Sequence, residues 1–342
     1  KALTMSFRKY ALITGSNSGL GFGIATRLLQ FYQPRLQDEP EVFTVILTCR
    51  SREKAEDACR RLKEFFPDRK IRLEYVLLDL SNMASVEAAV QDIATRFPKL
   101  DFVYLNSGSW DLEGIQWLKA IFSTLINPIQ ALTHPTFYKE TAGRVSNDSL
   151  GYIFESNVFG HFYLKNRLAE LKVLRSSTKV VLTSSLVAEK KSLDFEDLQC
   201  FHGEQPYQSS KRLLDVLHYA ELEKGLPFEQ YLVHPGLCTT NMYETFLGPI
   251  LVMCPKLGFY ICRLLGSPWH TISPYVAAFA FLWTALHATK EDQSIKWGAA
   301  VTRFGHERVL STPVELILPS EQEKALEYMT KLYQEWKKKL VS

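Results

Sequence analysis

Six short apolar runs recur along the chain, at 10–14, 44–47, 73–78, 102–105, 179–182 and 230–233, and each gives way to polar or turn residues. Runs of this length suit strands buried on both faces, whereas a core helix needs about ten residues or more. Segments with apolar residues at helical spacing separate them, beginning at 21–29 directly behind the first run. Strand alternating with helix predicts an α/β fold, a doubly wound parallel sheet covered on both faces. No linker rich in Pro, Gly or Ser divides the series and no internal repeat is visible, so residues 5–342 are expected to form a single domain.

Four stretches depart from the minimal alternation. Between 110 and 150, Ile115, Leu118, Ile121, Phe122 and Leu125 fall at helical spacing and are followed by the breakers Asn127-Pro128 and His134-Pro135, which predicts an inserted helix and loop. The apolar stretch 246–265 is interrupted by Pro249, Pro255, Lys256 and Arg263, too broken for a spanning helix, and reads as an apolar flap at about 246–270 that covers a pocket or lies in an interface. Residues 275–286 are apolar all round but too few to span a bilayer, which predicts a buried helix. From Ser320 a cap-like start leads into Leu326, Met329, Tyr333, Trp336 and Leu340, an amphipathic helix at about 320–340 expected to dock on the domain. Residues 1–4 precede Met5 and read as a remnant without fold information.

Composition narrows the classes. Of 342 residues, 46% are hydrophobic and 23% charged, which excludes a disordered polymer and a coiled-coil rod. Forty basic residues against 37 acidic ones leave a net charge of +3, too balanced and dispersed for a nucleic-acid footprint. Six cysteines without a CxxC pair suggest neither a zinc site nor a disulfide framework and favour a reducing compartment. The eight histidines show no HExxH spacing, so no metal site is expected. Asn147-Asp148-Ser149 forms a glycosylation sequon that reads as an ordinary surface loop.

The candidate chemistry begins where the first strand turns into a helix. Gly15, Ser16, Asn17, Ser18, Gly19, Leu20 and Gly21 set three glycines at this turn, so that backbone N–H groups and the helix dipole can meet a pyrophosphate. After the second strand, where an acid would select a ribose 2′-hydroxyl, Arg50 stands with Ser51 beside it; a guanidinium pairs with a 2′-phosphate, which predicts NADPH/NADP as cofactor. Asp79, followed by Leu80, ends the third strand, where it can accept from adenine or cap the helix near Met83. Tyr207 and Lys211, four apart, share a helix face, so the lysine can favour the tyrosine phenolate. Ser185, ending the fifth run, can orient a carbonyl for proton donation by Tyr207, and Asn157 can complete a polar relay toward Lys211.

With Asn106-Ser107-Gly108 after the fourth strand and Pro235-Gly236 through Thr240 after the sixth, this order resembles the short-chain dehydrogenase/reductase family from residue 10 to about 290. The resemblance implies a Rossmann-like fold, a catalytic tetrad of Asn157, Ser185, Tyr207 and Lys211, and cofactor contacts from Asn106, Tyr207, Lys211, Pro235, Gly236 and Thr240. Ser107 replaces the usual alanine, and 22 residues separate Ser185 from Tyr207, against fewer in most members. The stretch from Ser184 to Lys211 is similar to that of the sterol 3-keto reductases of C-4 demethylation. The segments Gly114-Ile115-Gln116-Trp117, Asn127-Pro128, His134-Pro135-Thr136 and Leu264-Leu265-Gly266-Ser267-Pro268-Trp269-His270 resemble the fungal members in particular.

That branch implies NADPH-dependent reduction of a sterol ketone to its 3β-alcohol. The apolar flap, its outer side resting in a bilayer with Lys256 and Arg263 at headgroups, is expected to attach the chain peripherally to the cytosolic face of the endoplasmic reticulum membrane or to lipid droplets, near the other C-4 demethylation enzymes; the alternative is that its apolar residues line the pocket or a homodimer interface. Another lipophilic carbonyl, a 17-ketosteroid or a retinoid, is the alternative substrate. A cofactor-binding scaffold of a membrane enzyme complex is the reading of a different class.

Overall fold

The computed structural model describes residues 8–36, 42–239 and 253–341. Its strands are β1 (Arg8–Ile13), β2 (Val42–Cys49), β3 (Ile71–Leu77), β4 (Leu100–Leu105), β5 (Leu112–Ile115), β6 (Tyr138–Glu140), β7 (Leu174–Thr183), β8 (Glu229–His234), β9 (Lys296–Val301) and β10 (Glu307–Thr312). Eight of them form one sheet in the order β10-β9-β8-β7-β4-β1-β2-β3, parallel except for β10. Successive residues of β1 enter opposite cores, Ala11 and Ile13 on one side and Leu12 on the other. The same division holds for Val45 and Leu47 against Ile46 in β2. This two-sided burial explains why these strands read as continuous apolar runs.

Helices α1 (Gly19–Tyr32), α2 (Arg52–Phe65), α3 (Met83–Arg96), α4 (Trp117–Ile126), α5 (Pro128–Thr133), α6 (Tyr152–Phe154), α7 (Gly160–Glu170), α8 (Pro206–Lys224), α9 (Met253–Leu264), α10 (Pro274–His287) and α11 (Pro319–Val341) complete the fold. The core on one face of the sheet draws on α3, α7, α8 and α11, and the opposite core on α1, α2 and α10. The expected buried helix is α10, with Ala277, Ala278, Ala280 and Phe281 inaccessible. Gly23 permits its close approach to α1, since a Cβ there would lie 2.8 Å from the Pro274 carbonyl oxygen.

Three expectations change. First, the sheet gains β9 and β10, which the apolar pattern did not reveal: β9 opens with a buried lysine and holds a glycine, and β10 is an exposed edge. Second, the insert is a β5–β6 hairpin enclosing two helices. Asn127 ends α4 and caps α5 by accepting from the Gln130 N–H at 3.1 Å, with Pro128 at the first helical position. Helix α4 buries none of its residues: Leu125 is 75% and Ile126 83% exposed.

Third, the described part of the expected flap, 253–270, contains α9, whose residues divide between core and surface. Phe259 and Cys262 are buried, whereas Leu257 and Leu264 are exposed. Arg263, expected among headgroups, instead donates to the carbonyls of His270 and Thr271 at 3.0 and 2.8 Å. The flap residues 246–252 and residues 1–4 lie outside the described residues. Among those described, no helix is long and apolar enough to cross a membrane.

Helix α11 docks as its pattern predicts, with Ala325 and Met329 inaccessible and Tyr333 and Trp336 nearly so. Met329→Ala is expected to destabilise the fold by about 2–5 kcal/mol, the range for emptying a buried side-chain site, read as a lowered denaturant midpoint at unchanged slope.

Candidate active site

The strand order reverses between β1 and β4, and at the carboxyl ends of these strands the chain forms a cleft of about 850 Å³. Gly15 and Gly19 turn the chain there with φ of +65° and +55°, a region that side chains disfavour. A Cβ at Gly21 would stand 2.4 Å from the Gly15 carbonyl oxygen and 2.8 Å from Asn106 Nδ2, so this glycine closes the turn from behind the cleft. Ser18 occupies the N-cap of α1 without a side-chain hydrogen bond to its first turn, which leaves the helix N-terminus to the cleft. Backbone donors without side chains before them form an anion cradle, and these residues fit the pyrophosphate of a nicotinamide dinucleotide.

Asn17, Leu20, Arg50, Asp79, Leu80 and Asn106 line the same cleft. Asp79 does not cap α3; Asn82 does, by accepting from the Ser85 N–H at 3.0 Å. Asp79 Oδ1 accepts instead from the Ser81 N–H and hydroxyl at 3.0 and 2.8 Å. Asn106 Nδ2 donates to the Thr14 carbonyl at 2.9 Å, fastening β4 to the glycine turn.

Ser16 is placed differently from expectation. It is inaccessible, its hydroxyl donates to the Ile13 carbonyl at 3.0 Å and accepts from the Thr48 N–H at 3.0 Å, and its N–H donates to the Thr48 carbonyl, so it staples β1 to β2 rather than facing a cofactor. Ser51 caps α2 by accepting from the Lys54 N–H at 3.4 Å. Lys54, in the first turn of α2, also lines the cleft with Arg50, a second cation that no sequence motif announced. Pro235 and Gly236 line the cleft, and Thr240 lies outside the described residues.

The expected catalytic side chains converge. Tyr207 and Lys211 share a face of α8, with the Lys211 ammonium 5.7 Å from the Tyr207 ring centre and donating to the Thr183 carbonyl at 2.8 Å. Ser185, just beyond β7, is within hydrogen-bonding reach of the Tyr207 hydroxyl. Asn157 lies in a π-turn, Glu155–Phe159, between α6 and α7. Its amide donates to the Ser109 carbonyl at 2.9 Å and to the Ser210 hydroxyl at 3.1 Å, and its Oδ1 accepts from the Ser109 N–H at 2.6 Å. Asn157 therefore anchors the loop after β4. It meets Lys211 only across Gly108, whose Cβ position would be 3.3 Å from Asn157 Oδ1 and 3.9 Å from the ammonium.

Desolvation pushes the Tyr207 phenol up to about 12; the Ser185 hydrogen bond opposes this and the Glu140 carboxylate adds to it. Desolvation also pushes Lys211 down to about 8, with Asp215 opposing and Lys296 adding. Burial thus outweighs the expected lowering of Tyr207 by Lys211 and keeps the phenol protonated near neutrality. A protonated phenol beside a serine hydroxyl can hold a carbonyl oxygen and give it a proton.

Several residues of the site had no motif to announce them. His161 is buried one turn beyond Asn157 and pairs with the Thr14 hydroxyl at 3.0 Å; burial and the Lys211 charge push it down to about 3, which keeps it neutral. Trp110, Thr133, Tyr138 and Glu140 come from the insert to form one cleft wall. Only the position of the insert directly behind Asn106-Ser107-Gly108 hinted at that wall.

Residues 9–245 match the family model described as short chain dehydrogenase. The chain is 99% identical over 338 residues to the 3-keto-steroid reductase of Schizosaccharomyces pombe, covering 99% of this chain and 100% of that protein. It is 35% identical to the 3-keto-steroid reductase of Candida albicans, covering 96% and 94% of the two chains. Among solved structures, an L-sorbose reductase from Gluconobacter frateurii complexed with NADPH and L-sorbose superimposes with a TM-score of 0.58 at 17% identity, covering 86% of this chain and 95% of that one. An alcohol dehydrogenase from Thermococcus sibiricus complexed with 5-hydroxy-NADP gives 0.54 at 17% identity, covering 86% and 96%. The cradle, the converging Ser185, Tyr207 and Lys211, and these likenesses agree: the chain belongs to the short-chain dehydrogenase family.

Proposed function

We propose that the chain reduces the 3-keto group of a sterol intermediate to the 3β-alcohol in sterol biosynthesis, with NADPH as reductant. The observation that carries this reading is the Tyr207 hydroxyl within hydrogen-bonding reach of Ser185, in a chain 99% identical to a protein named 3-keto-steroid reductase. Preference for NADPH is supported by Arg50 and Lys54, two cations at the cleft where an acid would select NAD. When bound, the cofactor supplies the hydride. Ser185 holds the ketone oxygen in line with the Tyr207 hydroxyl, which donates its proton as negative charge develops there. The Lys211 ammonium, fixed by the Thr183 carbonyl, stabilises the phenolate left behind.

A second reading concerns location. In α4, Trp117, Leu118, Ile121, Phe122, Leu125 and Ile126 are exposed, and in α9 Leu257, Tyr260, Ile261 and Leu264 are exposed. Both helices pack on α5, which places their exposed apolar side chains in one region of the surface, the kind of cluster that marks an interaction site. This surface supports peripheral attachment to the endoplasmic reticulum or to lipid droplets, with Lys119 and Lys256 exposed nearby for headgroups. The other C-4 demethylation enzymes would then meet the chain on that membrane.

Tyr207→Phe is expected to lower kcat for a detergent-solubilised 3-keto sterol by about 10²–10⁴-fold, the range of a lost general acid, while NADPH binding stays intact. Stopped NADPH oxidation with bound NADPH is the supporting result; wild-type turnover would reject the mechanism. Offering a 17-ketosteroid and a retinal in the same assay separates the alternative substrates, and absence of any turnover by the wild type would favour the scaffold. Arg50→Asp should shift preference toward NADH by about 1–3 kcal/mol through the lost charged contact, read as the ratio of kcat/KM for the two cofactors. An unchanged ratio would leave the phosphate to Lys54 or another residue.

Replacing Leu118, Phe122, Leu257 and Leu264 together with Asp should abolish flotation with phosphatidylcholine–phosphatidylserine vesicles while turnover of solubilised sterol persists. Flotation equal to wild type would overturn the membrane reading. A fall from dimer to monomer in sedimentation, with no vesicle binding by either protein, would assign the surface to a homodimer.

A further inference from the structure

Glu140 ends β6 in the insert, 6% exposed, and its two oxygens serve two different elements. Oε2 accepts from the backbone N–H of Tyr207 at 2.8 Å, and Oε1 accepts from the indole N–H of Trp110 at 3.1 Å. Tyr207 lies in the first turn of α8, where Gln205 supplies no side-chain cap and Pro206 has no N–H to offer. Its orphaned donor is closed by a side chain 67 residues away in sequence.

A local serine, threonine or asparagine would cap this helix without burying a charge, which is costly when unpaired. Desolvation accordingly pushes the Glu140 carboxyl up to about 7, with only the Tyr207 N–H and Trp110 N–H opposing. A group with two acceptor oxygens is required where donors on separate elements must be held by one side chain. Here those elements are the helix of the proton donor and the wall of the cleft. The Trp110 ring lies 5.6 Å from the Tyr207 ring, tilted by 40°, and meets Tyr138 edge to face at 4.9 Å; all three line the cleft.

We propose that Glu140 is a positioning residue that fixes Trp110, the wall against which the rings of the substrate rest, at a set distance from the Tyr207 hydroxyl. The proposal deepens the sterol-reductase reading and rests on it for the nature of the substrate. Through this clamp the insert controls where a rigid polycyclic ketone stops relative to its proton donor. A small ketone, which does not reach along the wall, depends on it less.

Glu140→Gln separates the two hydrogen bonds. With the amide oxygen kept on the Tyr207 N–H, the amide NH₂ confronts the indole N–H, and Trp110 loses this acceptor. With a 3-keto sterol, Glu140→Gln and Trp110→Phe should each raise KM by about tenfold and lower kcat by less than about threefold, the signature of lost binding rather than lost chemistry. Cyclohexanone should suffer a smaller loss of kcat/KM. The double variant Glu140→Gln/Trp110→Phe should cost no more than either single change, because both remove one interaction.

Additive losses, or an equal loss on both ketones, would overturn the proposal by reducing Glu140 to a helix cap. Thermal midpoints and NADPH binding establish that each variant is folded. The tether is also read without substrate: in tryptophan-labelled protein, the indole N–H signal absent from Trp110→Phe should exchange slowly in wild type and rapidly in Glu140→Gln. Equal exchange in the two proteins would reject the clamp whatever the substrate. Turnover of cyclohexanone but no sterol by the wild type would reject the sterol reading alone, and the indole signal would still decide the clamp.

Discussion

A buried ion pair between Lys296 and Asp215 underlies the catalytic floor. The Lys296 ammonium donates to Asp215 Oδ2 at 2.7 Å and to the Ser185 carbonyl at 2.8 Å, and the Ser184 hydroxyl donates to the other Asp215 oxygen. Three elements are joined in this way: β9, α8 and the end of β7. Both charged side chains are almost inaccessible, so removing either would leave a buried charge unpaired, at a cost of about 3–5 kcal/mol. The pair also sets the field on Lys211, where Asp215 favours the ammonium and Lys296 disfavours it. Ser185 is held by its backbone and remains available through its hydroxyl.

From this floor the site builds outward along α8. Asp215, Lys211 and Tyr207 follow at four-residue steps on one helical face, so a structural pair, a cation and a proton donor are stacked toward the cleft. The fully buried lower turns make the upper one rigid, and desolvation of Tyr207 keeps its proton in place. The glycine turn faces the same cleft from β1, with Thr14 linking the two halves: its hydroxyl accepts from the Asn106 and Ser107 N–H groups and pairs with His161. Cradle and proton donor are thus connected through hydrogen bonds that the Asn157 π-turn helps to arrange.

The insert adds a wall to the cleft of this scaffold. Its hairpin carries Trp110, Tyr138 and Glu140 into the cleft, while its helix α4 turns an apolar face outward next to α9. One excursion of the chain therefore shapes both the wall beside Tyr207 and an exposed apolar helix face. The division of α9 follows the same logic, with Phe259 and Cys262 facing the protein and Leu257 and Leu264 facing away.

What could be read from the sequence was whatever depends on near neighbours in the chain. The central strands were legible because two-sided burial demands unbroken apolar runs, the glycine turn because a strand must enter a helix there, and Tyr207 with Lys211 because four residues return a helix to one face. Helix α10 was legible as an apolar stretch too short to span a bilayer, and α11 from its cap-like start and helical spacing. The tertiary structure decided what depends on partners far away. Strand β9 opens with a lysine whose burial is made tolerable by Asp215 and the Ser185 carbonyl, both distant in sequence, so no local pattern marked it. Ser16, in a motif shaped for a ligand, is consumed by β2; Arg263, a candidate for the membrane surface, is consumed by two carbonyls. Glu140 carried no signal in the sequence; folding placed two donors beside it. Propensity and period act within a few residues, whereas desolvation and hydrogen-bond satisfaction are settled by whichever groups the fold brings into contact, and those the chain meets only in three dimensions.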